Sequence, residues 1–337
     1  MIGTVPEALP RAREMVEPAL RACVDRLSPE IRRVVGYHLG LADADGTPTG
    51  SLTGKAVRPA LAFLSAEAAG APAEVGLPGA VAVELIHNFS LLHDDVMDRD
   101  RERRHRPTAW TLFGVGAAIT AGDALQTQAH ELLLDPPTPA RVRAASALAS
   151  ATAKMIVGQA QDLSFESRLD VSPEESRRMC ANKTGALLSC AASIGAILAE
   201  APAPTVRALS EFGLHLGLAY QAIDDILGIW GRPEITGKPV ANDLREHKKS
   251  LPVAEALSFG GPASDRLHEL LSDGSVNDGA LQEAMGLLEG IGARPMAERE
   301  ADREIEAALG ALDREGIQER VRERLSEIAR FVTARQA

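Results

Sequence analysis

Two pairs of adjacent aspartates are the residues of this chain best suited to chemistry. Asp94 and Asp95 are followed by Asp98, and Asp224 and Asp225 end a second apolar stretch much later in the chain. Burying adjacent carboxylates is costly unless a cation neutralises them. Mg²⁺ prefers oxygen ligands and commonly bridges carboxylates to a polyanionic substrate. If both stretches fold as helices that face each other, the sequence predicts a magnesium site around such a substrate.

A helical repeat would place the first carboxylates on neighbouring faces. Residues three, four or seven apart share one side of a helix, so His87, Ser90, Asp94 and Asp98 would form one stripe and Asp95 the adjoining one. The carboxylates would meet at the C-terminal end of the helix, where the helix dipole disfavours negative charge. A bound cation explains this pattern more simply than the alternative, an acidic patch on the surface.

A basic run follows the first cluster, and it includes Arg103 and Arg104. Taken alone, such a run is usually a solvated face or loop. Guanidinium groups bind phosphate oxygens through two parallel hydrogen bonds. Directly after a candidate metal site, the run therefore indicates a phosphate clamp.

The bulk composition excludes several classes of function. The formal net charge of -11 argues against general nucleic-acid binding. The three cysteines form no CxxC motif, which is typical of a reducing compartment. The longest near-apolar run, residues 185–199, is shorter than the roughly twenty residues that a membrane span needs, and the N-terminus lacks an apolar signal core. We expect a soluble, cytoplasmic protein without a membrane span.

The elements that must position these residues are helices. Alanine, leucine, glutamate and arginine fill most segments, and alternating β-branched stretches are missing. Clusters of Gly, Pro and Asp divide the chain into roughly ten helices. We expect one all-α domain over residues 1–337, a helical bundle whose site lies in a central cavity between facing helices.

Seven short motifs occur in order along the chain. They cover residues 54–59, 84–98, 122–125, 158–163, 183–187, 220–225 and 237–252. Their content and order resemble those of the trans-isoprenyl diphosphate synthases, the polyprenyl synthetase family, whose fold is an all-α bundle. Thr53, Ala56, His105 and His247 depart from the family pattern.

The resemblance implies an enzyme that joins an allylic diphosphate head to tail with isopentenyl diphosphate and releases pyrophosphate. It implies that Mg²⁺, up to three ions, is held by Asp94, Asp95, Asp98, Asp224 and Asp225. The side chains implied to bind the allylic diphosphate group are Arg103, Lys183, Gln221, Lys238 and Lys248. Thr184 and Lys183 are implied to stabilise the allylic cation through oxygen atoms.

A second, metal-free basic pocket is implied for isopentenyl diphosphate. Its residues are Lys55, Arg58, His87 and Arg104. The double bond of isopentenyl diphosphate would attack the cation, and the departing pyrophosphate could take the proton, so no protein base is needed. The resemblance also implies a homodimer.

The product length is expected to depend on two residues just before the first aspartate pair. Ser90 is small and leaves room one turn below Asp94, whereas Phe89 is bulky and would form a floor. This combination resembles geranylgeranyl diphosphate synthases of the archaeal-like type, so it predicts a twenty-carbon product. The alternative is a farnesyl diphosphate synthase or a synthase of another chain length.

Gly228 stands where the family usually has the third aspartate of the second motif. The missing carboxylate predicts weaker metal binding, and Gly228→Asp is then expected to lower the Mg²⁺ concentration that the enzyme needs. Two other functions are alternatives. A class I terpene cyclase would not need the basic pocket, and a non-catalytic partner subunit would not need the intact first motif.

Overall fold

The computed structural model describes residues 5–50, 52, 54–232, 239–272, 277–313 and 316–334. The α-helices of this part are α1 (Ala8–Asp25), α2 (Pro29–Leu39), α3 (Val57–Ala68), α4 (Leu77–Met97), α5 (Ala109–Phe113), α6 (Val115–Leu134), α7 (Pro139–Glu166), α8 (Pro173–Cys180), α9 (Ala186–Leu198), α10 (Ala203–Trp230), α11 (Asn242–Arg245), α12 (Leu251–Ser258), α13 (Pro262–Ser272), α14 (Asp278–Ile291), α15 (Ala293–Ala311) and α16 (Glu319–Thr333). A 3₁₀ turn, Ala73–Gly76, precedes α4, and a π-helical turn, Ala181–Gly185, joins α8 to α9. The all-α prediction is confirmed.

The helices are more numerous than the roughly ten that the sequence predicted. Sixteen occur within the described residues, because short helices such as α5, α8 and α11 lie between the long ones. Local sequence explains several ends: Ser172 and Glu175 form a capping box at the start of α8, and α2 ends at Gly40, whose φ is 77°. In the described part, the only strands are β1 (Glu102–Arg103) and β2 (Arg106–Pro107), an antiparallel hairpin.

Two long helices, α4 and α10, carry the aspartate pairs and are held by different neighbours. Helix α4 packs against α3 and α6, and α10 packs against α9 and α15. On α4, Leu85 and Leu92 are fully buried, whereas Glu84, His87 and Asp94 are only half-buried. One stripe of this core helix therefore remains open to solvent, as expected for a helix that lines a cavity.

A second, smaller apolar cluster supports the later motifs. It contains Ile229 from the end of α10 together with Leu244, Val253, Leu267 and Leu288 from the helices that follow. This cluster fixes α11 and α12 against the end of α10. The interpretation of residues 1–337 as one domain stays a prediction.

The segment Ala73–Met97 is long and apolar enough to cross a membrane by length and composition, with a mean hydropathy of 1.4 in its most apolar window. Of that window, 61% is buried inside the protein. The segment also carries Asp94 and Asp95 at its C-terminal end. These features indicate the core helix of a folded protein.

Candidate active site

The two members of the first aspartate pair point in different directions. Asp94 is half-buried, whereas Asp95 is 1% exposed. Adjacent residues on a helix differ in direction by about 100°. Burial raises the pKa of Asp94 to about 6, and the neighbouring charge of Asp98 adds to the shift. Asp94 is therefore the more accessible member of the pair.

Asp95 is bonded within the protein. Its Oδ1 accepts a hydrogen bond from Nε of Arg103 at 2.7 Å and forms an ion pair with Nη2 of the same side chain, also at 2.7 Å. Arg103 belongs to the β1–β2 hairpin, in which Arg104 and His105 adopt positive φ angles of 53° and 60°. Asp95 thus fastens the hairpin to the end of α4, and this contact places Arg103 beside the first cluster.

In the second pair, too, one aspartate is buried and bonded within the protein while the other is half-buried. Asp225 is 4% exposed, and its two oxygens accept hydrogen bonds from Gln221 Nε2 and from the backbone N–H of Leu251, each at 2.9 Å. Burial raises the pKa of Asp225 to about 7, and the charge of Asp243 contributes. Thr184 Oγ1 donates to Gln221 Oε1 at 2.7 Å. Asp225 therefore ties α10 to α12, and Asp224 is the half-buried member.

Lys183 reaches the first cluster from the π-helical turn. Its Nζ donates to Asp162 Oδ2 at 2.6 Å. Burial disfavours the charge of Lys183, but Asp162, Asp94 and Asp98 outweigh it and raise the pKa. π-Helical turns are rare and often lie at functional sites.

Gly158 and Asp162 lie beside Lys183, and neither was assigned to the site from the sequence. A β-carbon at Gly158 would lie 2.3 Å from the backbone nitrogen of Lys183, so only glycine lets α7 approach this closely. Asp162, which pairs with Lys183, was not among the residues predicted for the site. The motif at residues 158–163 is the signal that could have identified both.

Lys248 reaches the first aspartate cluster from the segment that follows α11. Its Nζ lies 3.5 Å from Asp98 Oδ2 and 3.1 Å from Glu246 Oε2. Burial disfavours the charge of Lys248, but the carboxylates of Asp98, Glu246 and Asp243 outweigh it and raise the pKa. A cation is thus held beside Asp98 of the first cluster, and Glu246 is a further residue that the sequence did not indicate.

The predicted basic pocket comes together between α3, α4 and α10. Burial lowers the pKa of Arg58, and the charges of Glu84 on α4 and of Tyr220 and Asp224 on α10 oppose that shift. Burial also lowers the pKa of His87 well below its usual value, and Arg58 adds to the effect. At neutral pH, His87 is therefore a neutral hydrogen-bonding group beside arginines.

Lys55 and Arg104 complete the basic pocket at the loop before α3. Gly54 has a φ of 105°, and a β-carbon there would lie 3.3 Å from Arg104 Nη2. Lys55 Nζ lies 5.2 Å from the centroid of the Phe331 ring on α16. This distance permits a cation–π interaction that holds the ammonium group in place. Phe331 carried no signal in the sequence.

The resemblance implies that this pocket binds isopentenyl diphosphate. On that expectation, replacing Phe331 with alanine should raise KM for this substrate about threefold, because an exposed cation–π contact contributes about 0.5–1 kcal/mol. KM for the allylic diphosphate and kcat should change little. Steady-state kinetics with each substrate varied in turn would measure both. Phe331→Tyr, which keeps the ring, is the matched control, and an equal loss in both variants would contradict the prediction.

The residues predicted to set product length lie on different sides of α4. Phe89 is 5% exposed and packs edge-on against His93, with ring centroids 4.8 Å apart. His93 Nε2 lies 3.0 Å from the Ile119 carbonyl oxygen on α6. Ser90 is half-buried and donates its hydroxyl to the His87 carbonyl oxygen at 2.8 Å. Phe89 therefore lies on the α6 side of α4.

Lys238 and Gly228 were also predicted to affect the site. Lys238 lies outside the described residues. The expectation that an added aspartate at Gly228 would improve metal binding stays a prediction. A β-carbon there would lie 2.2 Å from Asp243 Oδ2, so the space is already occupied.

A surface pocket of about 490 Å³ lies between α1, α2 and α6. Its lining includes Arg26, Asp123, Gln128 and Glu131. None of the residues predicted for catalysis lines it, so it is separate from the site described above.

Comparison with known proteins supports a single family. A model of the polyprenyl synthetase family matches residues 48–288. The chain belongs to the polyprenyl synthetase family. A (2E,6E)-farnesyl diphosphate synthase of Mycobacterium tuberculosis is 49% identical over 330 residues, covering 97% of this chain and 92% of the relative. A geranylgeranyl diphosphate synthase of the same species is 39% identical, covering 92% of this chain and 91% of the relative.

The fold comparison agrees with this assignment. The crystal structure of a polyprenyl synthetase from Streptomyces coelicolor A3(2) matches with a TM-score of 0.92 and 50% identity, covering 98% of this chain and 99% of that one. The predicted family is therefore confirmed. The relatives are named as synthases, so the terpene cyclase and the non-catalytic subunit receive no support from them.

The donor set of this polyprenyl synthetase fits Mg²⁺. Among the described residues, no group of three or more His, Cys, Asp or Glu side chains could by itself hold a metal ion. Mg²⁺ does not require such a cage, because it usually binds through one or two carboxylates, several waters and the phosphates of a substrate. Asp94, Asp98 and Asp224 are the half-buried carboxylates that could serve.

Mg²⁺ and inorganic pyrophosphate together are expected to raise the melting temperature. We expect this increase to become larger as the pH rises from about 5.5 to 8. Burial raises the pKa of Asp94 from 3.8 to about 6 and that of Asp225 to about 7. The folded metal-free protein therefore keeps protons that the unfolded chain has lost, and its stability falls as the pH rises between about 4 and 7. Mg²⁺ binds only the ionised carboxylates, so its contribution increases over the same range.

Melting temperatures measured with and without Mg²⁺ and pyrophosphate at several pH values would test this expectation. Asp94→Asn serves as the control, because it should flatten most of the dependence between pH 5 and 7. A Mg²⁺-induced shift of constant size from pH 5.5 to 8 in the unmodified protein would contradict it.

Proposed function

We propose that the chain condenses isopentenyl diphosphate with an allylic diphosphate and releases pyrophosphate, as a short-chain trans-prenyltransferase whose main product has fifteen carbons. The observation that carries this proposal is the pairing of two sets of residues. One set consists of the carboxylates at the C-terminal end of α4 together with Lys183 and Lys248. The other is the basic pocket around Arg58 of α3 and His87, and His87 lies two turns before Asp94 on α4.

The carboxylate set would hold the diphosphate of the allylic substrate. Mg²⁺, when bound, would neutralise the negative charge that develops on the leaving diphosphate. Lys183 and Lys248 already carry charges stabilised by carboxylates, so they can bind phosphate oxygens without a change of protonation. Arg103, held by Asp95, would bind the same group from the hairpin. The roles of Asp95 and Asp225 are better described as positioning than as metal binding.

The cation formed when the carbon–oxygen bond breaks needs nearby oxygen atoms. Thr184 and Gln221 are linked at 2.7 Å, and Gln221 is fixed in turn by Asp225. This chain keeps the Thr184 oxygen at one place beside the π-helical turn. We assign it the stabilisation of positive charge on the allylic carbon.

The basic pocket would bind isopentenyl diphosphate. Arg58, Arg104 and Lys55 supply positive charge, and neutral His87 supplies a hydrogen bond without further repulsion. The double bond attacks the allylic cation, and the pyrophosphate that has just left takes the proton from the new carbocation. No side chain has to act as a base.

A product of fifteen carbons has better support than the twenty carbons expected from the sequence. The farnesyl diphosphate synthase relative is 49% identical and the geranylgeranyl diphosphate synthase relative 39%. The position of Phe89, buried beside His93, is compatible with a floor close to the aspartates. On this proposal, the Phe89 ring limits the length of the growing chain.

Incubation with isopentenyl diphosphate, Mg²⁺ and each short allylic diphosphate in turn tests the proposal. Mass analysis of the products should show mainly fifteen carbons. A main product of twenty carbons would overturn the chain length but not the reaction. The absence of any condensation product with every primer would overturn the proposed function itself.

Replacing Phe89 with alanine is expected to shift the main product by one five-carbon unit or more, because it removes a buried ring from below the aspartates. Product mass analysis under the same conditions measures the shift. Phe113→Ala is a matched control, because that ring packs against Tyr37 on α2. An unchanged product in Phe89→Ala would show that the floor lies elsewhere.

We also propose a homodimer located in the cytoplasm. Exposed apolar side chains on α6 and α7 support the dimer: Val115, Ile119, Ile156 and Val157 are each between 39% and 51% exposed. Burying such side chains against a second copy would remove apolar area from water. Measurement of the molecular mass in solution by light scattering tests this part of the proposal.

A further inference from the structure

The turn of the β1–β2 hairpin is strained. Arg103 of β1 pairs with Arg106 of β2, so Arg104 and His105 alone form the loop between the strands. Both residues have positive φ angles, 53° and 60°. A two-residue loop of this kind is a type I′ turn, which strongly favours asparagine and glycine. Because neither arginine nor histidine favours this region, the surroundings of the turn must hold it in place.

Strand β2 is fastened to helix α2 by Tyr37. The Tyr37 side chain is 6% exposed, and its hydroxyl donates to the Pro107 carbonyl oxygen at 2.7 Å. The guanidinium carbon of Arg106 lies 4.4 Å from the centroid of the same ring, a distance that permits a cation–π interaction. Arg106 Nη1 also donates to the Tyr37 carbonyl oxygen at 3.5 Å. Tyr37 therefore holds both residues of β2.

Other contacts fix different parts of the hairpin. The Thr108 hydroxyl donates to the Asp100 carbonyl oxygen at 2.8 Å, which closes the base of the hairpin. The contact between Asp95 and Arg103 holds β1. Tyr37 thus supports the strand opposite to the one that Asp95 supports.

The hairpin carries one arginine of each predicted substrate site. Arg103 is bonded to the first aspartate pair. Arg104 lies against Gly54, next to Lys55 in the basic pocket. The two arginines are adjacent in the chain and follow the same strand pairing. A displacement of β2 away from Tyr37 would therefore move a phosphate-binding group in both sites at once.

We propose that Tyr37 is a positioning residue for both substrates, because it holds the strained turn in the conformation that presents Arg103 to the allylic diphosphate and Arg104 to isopentenyl diphosphate. The inference rests on the proposed function, which assigns the two arginines to these substrates. Tyr37 acts through the hairpin and touches neither substrate. Its loss should therefore weaken the binding of both and leave the chemical step nearly unchanged.

The first test is Tyr37→Phe, which keeps the ring and removes the hydroxyl. We expect KM for each of the two substrates to rise about three- to tenfold, the scale for the loss of one hydrogen bond, with kcat within about twofold of the parent. Steady-state kinetics with each substrate varied in turn measures these values, and thermal melting measures stability. A parental KM for either substrate would overturn the inference.

The matched control is Gln128→Leu. Gln128 Nε2 on α6 donates to the Cys23 carbonyl oxygen on α1, a buried bond from a side chain to a backbone carbonyl that is also 2.7 Å long. Its loss should lower the melting temperature about as much as Tyr37→Phe does and leave both KM values within about twofold of the parent. If Gln128→Leu raised both KM values as much as Tyr37→Phe, the effect would follow from lost stability and the inference would fail.

A rescue experiment tests the role of the strained turn. Glycine adopts positive φ without steric cost, so His105→Gly should let the turn keep its conformation with less support. In Tyr37→Phe with His105→Gly, both KM values should return to within about twofold of the parent, although the hydroxyl is still missing. A double variant with the raised KM values of Tyr37→Phe would show that Tyr37 does not act through the turn, and the inference would be wrong.

These results separate the inference from the proposed function. If the parent protein condenses the two substrates and Tyr37→Phe keeps the parental KM values, only the inference fails. If the parent forms no condensation product with any primer, the proposed function fails and the inference fails with it.

Discussion

In the Asp94→Asn variant, we expect kcat/KM for the allylic diphosphate to fall by about 10³-fold, the scale observed when a group that stabilises developing charge is removed. The melting temperature without metal should stay the same or rise. Burial raises the pKa of Asp94 to about 6, so its ionised form is unfavourable in the metal-free protein. Steady-state kinetics and thermal melting in a chelator measure the two quantities.

The neighbouring residue provides the matched control for this variant. Asp95→Asn weakens the hydrogen bond and the ion pair with Arg103, so it should lower the metal-free melting temperature. The two adjacent aspartates would then differ in the sign of their effect on stability. A loss of stability in Asp94→Asn as large as that in Asp95→Asn would contradict the division of roles within the pair.

The Arg58→Met variant is expected to raise KM for isopentenyl diphosphate about 30-fold or more, the scale for losing one member of a buried charge contact. The KM for the allylic diphosphate should change much less, because Lys183 and Lys248 remain. The variant should also lose stability, because burial raises the pKa of Glu84 and the ionised carboxylate would lose the Arg58 charge that favours it. Kinetics with each substrate varied separately would measure the difference.

A second replacement separates binding from folding in this pocket. In Arg58→Met with Glu84→Met, both charges are gone, so much of the lost stability should return. The high KM for isopentenyl diphosphate should persist. Recovery of the parental KM in the double variant would show that Arg58 only neutralises Glu84, and its assigned role in substrate binding would then be wrong.

Much of the site could be predicted because its residues lie in helices of regular period. The repeat of α4 correctly placed His87, Asp94 and Asp98 along one half-buried stripe. The same repeat also placed Asp95 on a different face of α4 from that stripe. The repeat could not show which neighbour would cover Asp95, because Arg103 reaches it from a hairpin of two-residue strands that no pattern in the sequence indicated.

The contacts that the sequence could not predict join residues distant in the chain. Asp243 belongs to a four-residue helix, and its relation to Gly228 depends on how α11 packs against α10. The contact of Lys55 with Phe331 depends on the packing of α16. Such contacts follow from tertiary structure, and neither periodicity nor motif spacing records them.

The loop that carries Lys55 is braced by helices from both ends of this chain. Arg13 on α1 donates to the Gly54 carbonyl oxygen, and Phe331 on α16 lies beside Lys55. Glu67 on α3 likewise pairs with Arg11 at 2.7 Å and with Arg324 at 3.5 Å, a residue 257 positions later. During synthesis on a ribosome, α3 would emerge long before α16. The loop can therefore form its contact with Phe331 only after the C-terminal helix has been synthesised.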